Sequence, residues 1–251
     1  MAKNHNIPEF KAEWKEGEEG KWGMAIDMDI CTGCNACVAA CAMENNIPFV
    51  GEEDAGYGRG LHWIRVERLW EGEFPEVKTE FQPVMCQQCG SAPCEPVCPV
   101  FASVHSQAEK LNVQVYNRCV GTRYCANNCP YVVRTFNWRD YDRPEPLNNQ
   151  LNPDVTVRRR GVMEKCTFCV QRIHKAQDLA KSEGREVYDG EVQPACAQAC
   201  PADAIVFGRI DDPESRVSKL AKQGRGYKLL EELNTLPSVT YLKGGSNVRN
   251  G

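Results

Sequence analysis

Hydrophobic and polar positions alternate only over short stretches, so the pattern predicts many small elements and no long one. Trp22 to Met28 reads as a short strand. His62 to Trp70 alternates as a half-buried strand, Gly72 breaks it, and a second run from Val77 to Val84 completes a predicted hairpin. Val113 to Tyr116 and Ala204 to Ile210 are two further short strands, while Ala36 to Asn45 and Val170 to Glu183 have the composition of helices. Between them, Gly51 to Gly60 reads as a glycine- and acid-rich loop, and Arg143 to Pro153, with three prolines and three asparagines, as a surface loop. Residues 1–21 carry no period and read as an extended arm that is disordered or lies on another subunit. The polar, glycine-rich finish of residues 211–251 predicts a tail that packs on a partner or is loose. The expected fold class is therefore α+β, built from short strands, loops and helices.

Composition narrows the class. Hydrophobic residues make up 42% of the 251 residues and mean hydropathy is -0.51. No apolar run approaches the roughly 20 residues of a membrane-spanning helix, so membrane contact is expected through a partner. A net charge of -4 and a pI of about 5.7 lack the electrostatic footprint of a nucleic-acid binder. The run Arg158-Arg159-Arg160 is too short to supply one and reads as a solvated face or a partner contact.

Fifteen cysteines change the picture most. Their odd number, and the polar Ala2 to Asn6 where an apolar signal segment would stand, argue against a disulfide scaffold. They fall into four runs. The first is Cys31, Cys34, Cys37 and Cys41, followed by Ala42. The second, Cys86, Cys89, Cys94 and Cys98, has two extra residues in its middle spacing and ends in Pro99. In the third, Cys119, Cys125 and Cys129 are followed by Pro130, and Thr122 stands at the second ligand place. The fourth is Cys166 and Cys169, then 26 residues, then Cys196, Cys200 and Pro201. No cysteine is left over.

This is the C-x2-C-x2-C-x3-C-P spacing of bacterial ferredoxins. A C-x2-C-x2-C loop wraps one corner of an iron-sulfur cube, and Gly33 and Gly121 suit so tight a turn. The x3 step sets the fourth cysteine roughly 6 Å along a helix axis from the third, which suits it to a neighbouring cluster. Motifs are then expected to work in pairs, and the repeat implies two ferredoxin-like modules, one split around the other: 22–60 with 154–210, and 61–153 inserted. Zinc is the alternative, since C-x2-C pairs also ligate zinc, but four such quartets point to iron-sulfur clusters. A hydroxyl is a poor iron ligand beside thiolate, so Thr122 predicts a three-iron cluster. A four-iron cluster with oxygen or water at the odd iron is the other reading.

With these runs in view, the chain resembles the four-cluster iron-sulfur subunits that link a molybdopterin-type partner to a quinone-binding membrane subunit. In finer detail, W-G-M-A-I-D (22–27), C-x-G-C-N-A-C (31–37), E-N-N-I-P (44–48), H-W-I-R-V (62–66), N-R-C-V-G-T-R-Y-C-A-N-N-C-P-Y (117–131) and R-x-F-N (134–137) resemble the iron-sulfur region of the B subunit of alternative complex III. The resemblance implies nested pairing. Cys31, Cys34, Cys37 and Cys200 would hold one [4Fe-4S] cluster, Cys166, Cys169, Cys196 and Cys41 a second, and Cys86, Cys89, Cys94 and Cys129 a third. Cys119, Cys125 and Cys98 would hold a [3Fe-4S] cluster nearest the quinone site. It also implies quinol oxidation by a membrane complex, with an integral-membrane quinol-binding subunit, a molybdopterin-enzyme-like subunit with or without cofactor, and cytochrome c or a small copper protein as acceptor. In that family the region follows a large molybdopterin-enzyme-like domain in the same polypeptide, which this sequence does not contain. An extracytoplasmic, periplasmic position is then expected through a partner's export.

No nucleophile-base pair or phosphate-binding glycine loop accompanies the motifs, so no catalytic residue is expected and the chain reads as a relay. Lys165, Arg118, Arg123 and Arg134 flank ligand positions, where they would raise cluster potentials or serve as ordinary surface charges. His5, His62, His105 and His174 lack ligand spacing, and Trp63 and Trp138 read as packing residues. Two rival functions remain: the relay of a molybdopterin reductase of the polysulfide or dimethyl sulfoxide type, and a free polyferredoxin-like carrier.

Overall fold

The computed structural model describes residues 20–107 and 109–244. Along them run β1 (Trp22–Asp27), α1 (Ala36–Glu44), α2 (Gly51–Gly56), β2 (Ile64–Glu71), β3 (Lys78–Met85), β4 (Ser103–His105) and β5 (Asn112–Gln114). Next in the chain are α3 (Tyr124–Asn127), β6 (Thr135–Phe136), β7 (Met163–Glu164), α4 (Val170–Ser182), α5 (Ala195–Gln198), β8 (Ile205–Arg209), α6 (Arg216–Ala221), β9 (Gly226–Tyr227) and β10 (Val239–Leu242). The fold is a mixture of short helices and small sheets, in keeping with an α+β class.

The largest sheet has four strands, ordered β8-β1-β10-β9. β1 runs antiparallel to β8, with Met24 opposite Phe207, and parallel to β10, with Met24 opposite Val239. Its side chains are fully withdrawn from water: Met24, Ile26, Val239, Tyr241 and Leu242 are each 0% exposed. Trp22 stacks on Phe207 at 5.3 Å, and Phe168 meets the same ring edge-on, so the aromatic core reaches from the sheet to the loop that begins α4. On α4 itself, Ile173, Ala176 and Ala180 recur at helical spacing and face inward.

The C-terminal expectation is corrected by the fold. Residues 211–244 contain α6, β9 and β10, and β10 lies between β1 and β9 at the centre of the sheet. Val239-Thr240-Tyr241-Leu242 is a four-residue run of β-branched, aromatic and aliphatic side chains, all buried. Such a run is too short for its period to stand out from the polar stretches on either side.

The predicted hairpin forms as β2 and β3, in a register running from Ile64 opposite Met85 to Glu71 opposite Lys78. Its base is buried, its tip exposed, and β3 delivers the chain directly to Cys86. The loop expected at Gly51 to Gly60 instead begins with the helix α2. Glu52, Glu53 and Asp54 occupy its first turn, where acidic groups offset the helix dipole. Asp54 is buried there between Arg59 at 2.9 Å and Arg139 at 3.0 Å. The loop at 143–153 includes one 3-10 turn, Leu147–Gln150. Most of the predicted N-terminal arm lies outside the described residues. At its inner end the backbone N-H of Gly20 donates to Asp211 at 2.8 Å.

Candidate metal centres

Each cysteine run is a tight loop leading into a helix or a turn, and backbone conformation shows why. Cys34 lies between Gly33 (φ +67°) and Asn35 (φ +61°), both left-handed. Thr122 lies between Gly121 (φ +75°) and Arg123 (φ +62°), the same arrangement. A Cβ at Gly33 would stand 2.5 Å from the Phe81 ring, and one at Gly121 would stand 2.5 Å from the Gly161 carbonyl oxygen, so both loops also need the missing side chain. The third motif thus keeps the loop of the first, with an exposed threonine where the first has the exposed Cys34.

The fold brings cysteines together across motifs. Cys31, Cys34, Cys37 and Cys200 line one cavity. Cys86, Cys89, Cys94 and Cys129 line another. In each, three thiols come from one motif and the fourth from a different one. A third neighbourhood joins Cys41 to Cys166, Cys169 and Cys196: burial, and then the charge of these three thiols, push the Cys41 thiol well above its ordinary range. Cys125 neighbours Cys119 and Cys94. Cys98 shares the guanidinium of Arg134 with Cys125.

For most of these thiols the electrostatics has one sense, upward, with Cys34 and Cys98 lowered by N-H groups around them. Burial first, and then the neighbouring thiols, push Cys37 up to about 11, and burial followed by Cys86 pushes Cys166 up to about 12. Thiolates crowded in a low-dielectric interior would repel one another, so the thiols stay protonated unless a cationic guest displaces the protons. A single zinc ion would pull four sulfurs to about 2.3 Å of one point. Among the described residues no three Cys, His, Asp or Glu side chains converge closely enough to hold one ion. Thiols spread around the wall of a cavity suit a larger guest, and the donor set, all sulfur, suits iron-sulfur clusters.

Nearby N-H groups are already aimed at sulfur. The backbone N-H four residues after the last cysteine donates in two motifs: Ala102 to Cys98 Sγ at 3.1 Å and Ala204 to Cys200 Sγ at 3.3 Å. Cys98 shows the result, since burial raises its thiol but the N-H groups of Ser103, Val100 and Ala102, with Arg134, bring it below its ordinary value. Asn45 Nδ2 lies 3.6 Å from Cys41 Sγ and 3.8 Å from Cys169 Sγ. The sequence motifs do not single out Asn45, Ser103 or Asn112. For Asn45 a signal exists, its place one helical turn beyond Cys41, whereas strands β4 and β5 bring Ser103 and Asn112 in only through folding.

The four basic residues flanking ligands separate clearly. Arg134 and Lys165 are buried, Lys165 completely. Arg118 is exposed and donates to the Phe101 carbonyl at 3.1 Å, while Arg123 is exposed and stacks on Trp138 at 4.5 Å. Trp63 is buried and its Nε1 donates to Glu164 at 2.9 Å. His105 and His174 pair with Glu95 and Glu109, and His5 lies outside the described residues.

Comparison with known proteins agrees with this chemistry. Residues 30–102 match the model of the 4Fe-4S dicluster domain. The iron-sulfur cluster-binding subunit of menaquinone reductase from Nitratidesulfovibrio vulgaris is 47% identical over 227 residues, 88% of each chain. Iron-sulfur subunit 1 of the Hdr-like menaquinol oxidoreductase of Archaeoglobus fulgidus is 36% identical, covering 91% of this chain and 85% of that one. The arsenate respiratory reductase iron-sulfur subunit of Shewanella sp. ANA-3 is 33% identical, covering 88% and 95%. Taken with the sulfur-lined cavities, these likenesses place the chain in the family of electron-transferring iron-sulfur subunits of molybdopterin-type oxidoreductases, to which it belongs.

Proposed function

We propose that this chain is the four-cluster electron relay of a membrane-bound quinone-linked oxidoreductase, standing between an integral-membrane quinol-binding subunit and a molybdopterin-enzyme-like partner. Cys31, Cys34, Cys37 and Cys200 would hold one [4Fe-4S] cluster, Cys166, Cys169, Cys196 and Cys41 the second, and Cys86, Cys89, Cys94 and Cys129 the third. Cys119, Cys125 and Cys98 would hold a [3Fe-4S] cluster, with Thr122 at the vacant place. When bound, such clusters each accept and release one electron at a time. The protein's own residues fix where the thiolates stand, aim N-H groups at sulfur and bury the ligands from water.

The observation that carries this reading is the composition of the two cavities, each completed by a cysteine from another motif. Among the described residues no helix is long and apolar enough to cross a membrane, so the relay would reach quinone through its partner. In the quinol-oxidising direction, as in alternative complex III, electrons would enter at the three-iron cluster and leave toward cytochrome c or a small copper protein on the periplasmic side. Thr122 at the vacant ligand place supports that direction, since a three-iron cluster with one thiolate fewer would sit at higher potential. A relay from quinol to a molybdopterin reductase, and a relay in the opposite direction into quinone, are supported equally by the relatives, whose names include both an arsenate reductase and a menaquinone reductase.

The test is freeze-quench EPR on the native complex mixed with a menaquinol analogue. Rapid loss of an oxidised three-iron signal, ahead of the appearance of reduced four-iron signals, is expected for quinol oxidation. Clusters that a quinol leaves untouched, but that quinone oxidises once they are reduced, would establish the reverse direction. A preparation without iron and acid-labile sulfide would refute the relay itself.

A further inference from the structure

Buried charges in this protein are generally matched. Glu164, 0% exposed, accepts from Arg158 Nη2 at 3.0 Å, and Asp54 holds two arginines. Arg134 is different, and unlike the likewise buried Lys165, which meets backbone carbonyls, it meets sulfur. It is 7% exposed, and its Nη1 donates to Gln114 Oε1 at 2.8 Å. Its Nη2 donates to Ser103 Oγ at 2.5 Å, to Asn112 Oδ1 at 3.1 Å and to Cys94 Sγ at 3.1 Å. Neutral oxygens and a sulfur surround it, with no carboxylate among these partners. Its positive charge also reaches the Cys125 thiol, which it holds lower than burial alone would leave it. A guanidinium withdrawn from water costs several kcal/mol unless negative charge faces it, and the negative charge available to this one is thiolate.

Cys94 and Cys125 come from different motifs and, on the ligand assignment proposed above, from different clusters. We propose that Arg134 is a positioning residue that bridges the two, fixing them side by side and raising the reduction potential of both. This inference rests on that assignment and adds to it. Reduction places one electron, and hence one more negative charge, on a cluster, drawn from the preceding donor in the relay. A fixed positive charge at hydrogen-bond distance from the ligand sulfur favours the reduced form, and N-H donation to sulfur acts in the same sense. The forked geometry of arginine lets one side chain face two acceptors, which lysine's single ammonium on a flexible stem does less well.

Lys165 provides an internal contrast. It too is buried, yet it donates to the backbone carbonyls of Asn112 and Cys166, not to sulfur. Ser103 provides a finer one, because its Oγ donates to Cys94 Sγ at 3.4 Å without carrying charge.

The experiment is an EPR-monitored redox titration of the native complex carrying Arg134→Gln, Arg134→Lys or Ser103→Ala. Arg134→Gln is expected to shift two clusters toward the oxidised form by at least tenfold in equilibrium constant, about 59 mV for one electron, and to leave the other two in place. Arg134→Lys should shift the same two by less, and Ser103→Ala only the cluster held by Cys94. Should Arg134→Gln lose those two clusters and retain the others, the same selectivity would stand, and a partial shift of that pair in Arg134→Lys must accompany it. Four loaded clusters with no potential moved in Arg134→Gln, all four moving alike, or an Arg134→Lys titration identical to the unaltered complex would overturn the inference. A different cluster inventory in the unaltered complex would instead refute the assignment beneath it, before any variant is compared.

Discussion

The first and third cysteine loops share a backbone but not a ligand set. Both flank the second ligand place with left-handed residues, Gly33 and Asn35 in one and Gly121 and Arg123 in the other. Both rely on a glycine pressed against a neighbour. They differ in the residue presented, Cys34 or Thr122, and in the helix that each loop opens. The first opens the nine-residue helix α1, which Arg172 of α4 pins through a forked ion pair to Glu44 at 2.9 and 2.7 Å. The third opens the four-residue α3, whose Cys125 thiol faces Arg134 instead. Loop shape, then, is set by turn stereochemistry and packing and is independent of whether a thiolate occupies the place; ligand identity and neighbouring charge are free to vary on it.

The sharpest way to break this comparison is to remove the cysteines that leave their own loops. Cys129→Ser should abolish the cluster held by Cys86, Cys89 and Cys94 while a cluster on the third loop survives; Cys200→Ser should do the same to the first loop's cluster. Iron and sulfide analysis with EPR would read this directly, and loss confined to each variant's own motif would reverse the pairing.

The two glycines come next. Gly121→Ala places a Cβ 2.5 Å from the Gly161 carbonyl at a positive φ, and Gly33→Ala does likewise against Phe81. Each is expected to cost about 1–3 kcal/mol, measurable as a fall in the denaturant midpoint. An unchanged midpoint would show that the loops relax freely and that their likeness carries no constraint.

Thr122→Cys should leave stability within about 0.5 kcal/mol, since the side chain is exposed. It should also convert the three-iron signal of the third loop into a fourth four-iron signal at lower potential. Retention of the three-iron signal would mean that this place is not the missing corner.

The smallest effect concerns the anchor of α1. Hydrogen bonding to Arg172 holds the Glu44 carboxyl below its ordinary value. A depressed carboxylate stabilises the fold above its unfolded pKa of about 4.3, and the contribution disappears as pH falls through the lower, folded value. Glu44→Gln should therefore cost about 0.5–1 kcal/mol at neutral pH and nothing at pH below the folded value, as denaturant melts at the two extremes would show. An equal loss at both would assign the effect to packing.

Much of the metal chemistry could be read from the chain because ligand spacing is local. Cys31 to Cys41 and Cys166 to Cys169 sit on short loops whose geometry the intervening residues dictate, and the β2-β3 hairpin announced itself by alternation around Gly72. Elements that depend on distant partners were hidden. β10 is a strand because β1 and β9 flank it, and α2 is fixed by Arg59 and by Arg139, which lies far along the chain, closing on Asp54. The special status of Arg134 among four basic residues near ligands was equally hidden, because its burial and its contact with the Cys94 sulfur arise only when β4 and β5 fold over it.

The most direct measurement is spin-quantified EPR of the oxidised native complex, before and after incubation with ferrous iron and sulfide. One three-iron spin per chain is expected, persisting through the incubation and titrating above the remaining clusters. Conversion of that signal into a fourth four-iron cluster would contradict the relay's proposed ligand set, and would mean that the first and third loops hold the same guest despite Thr122.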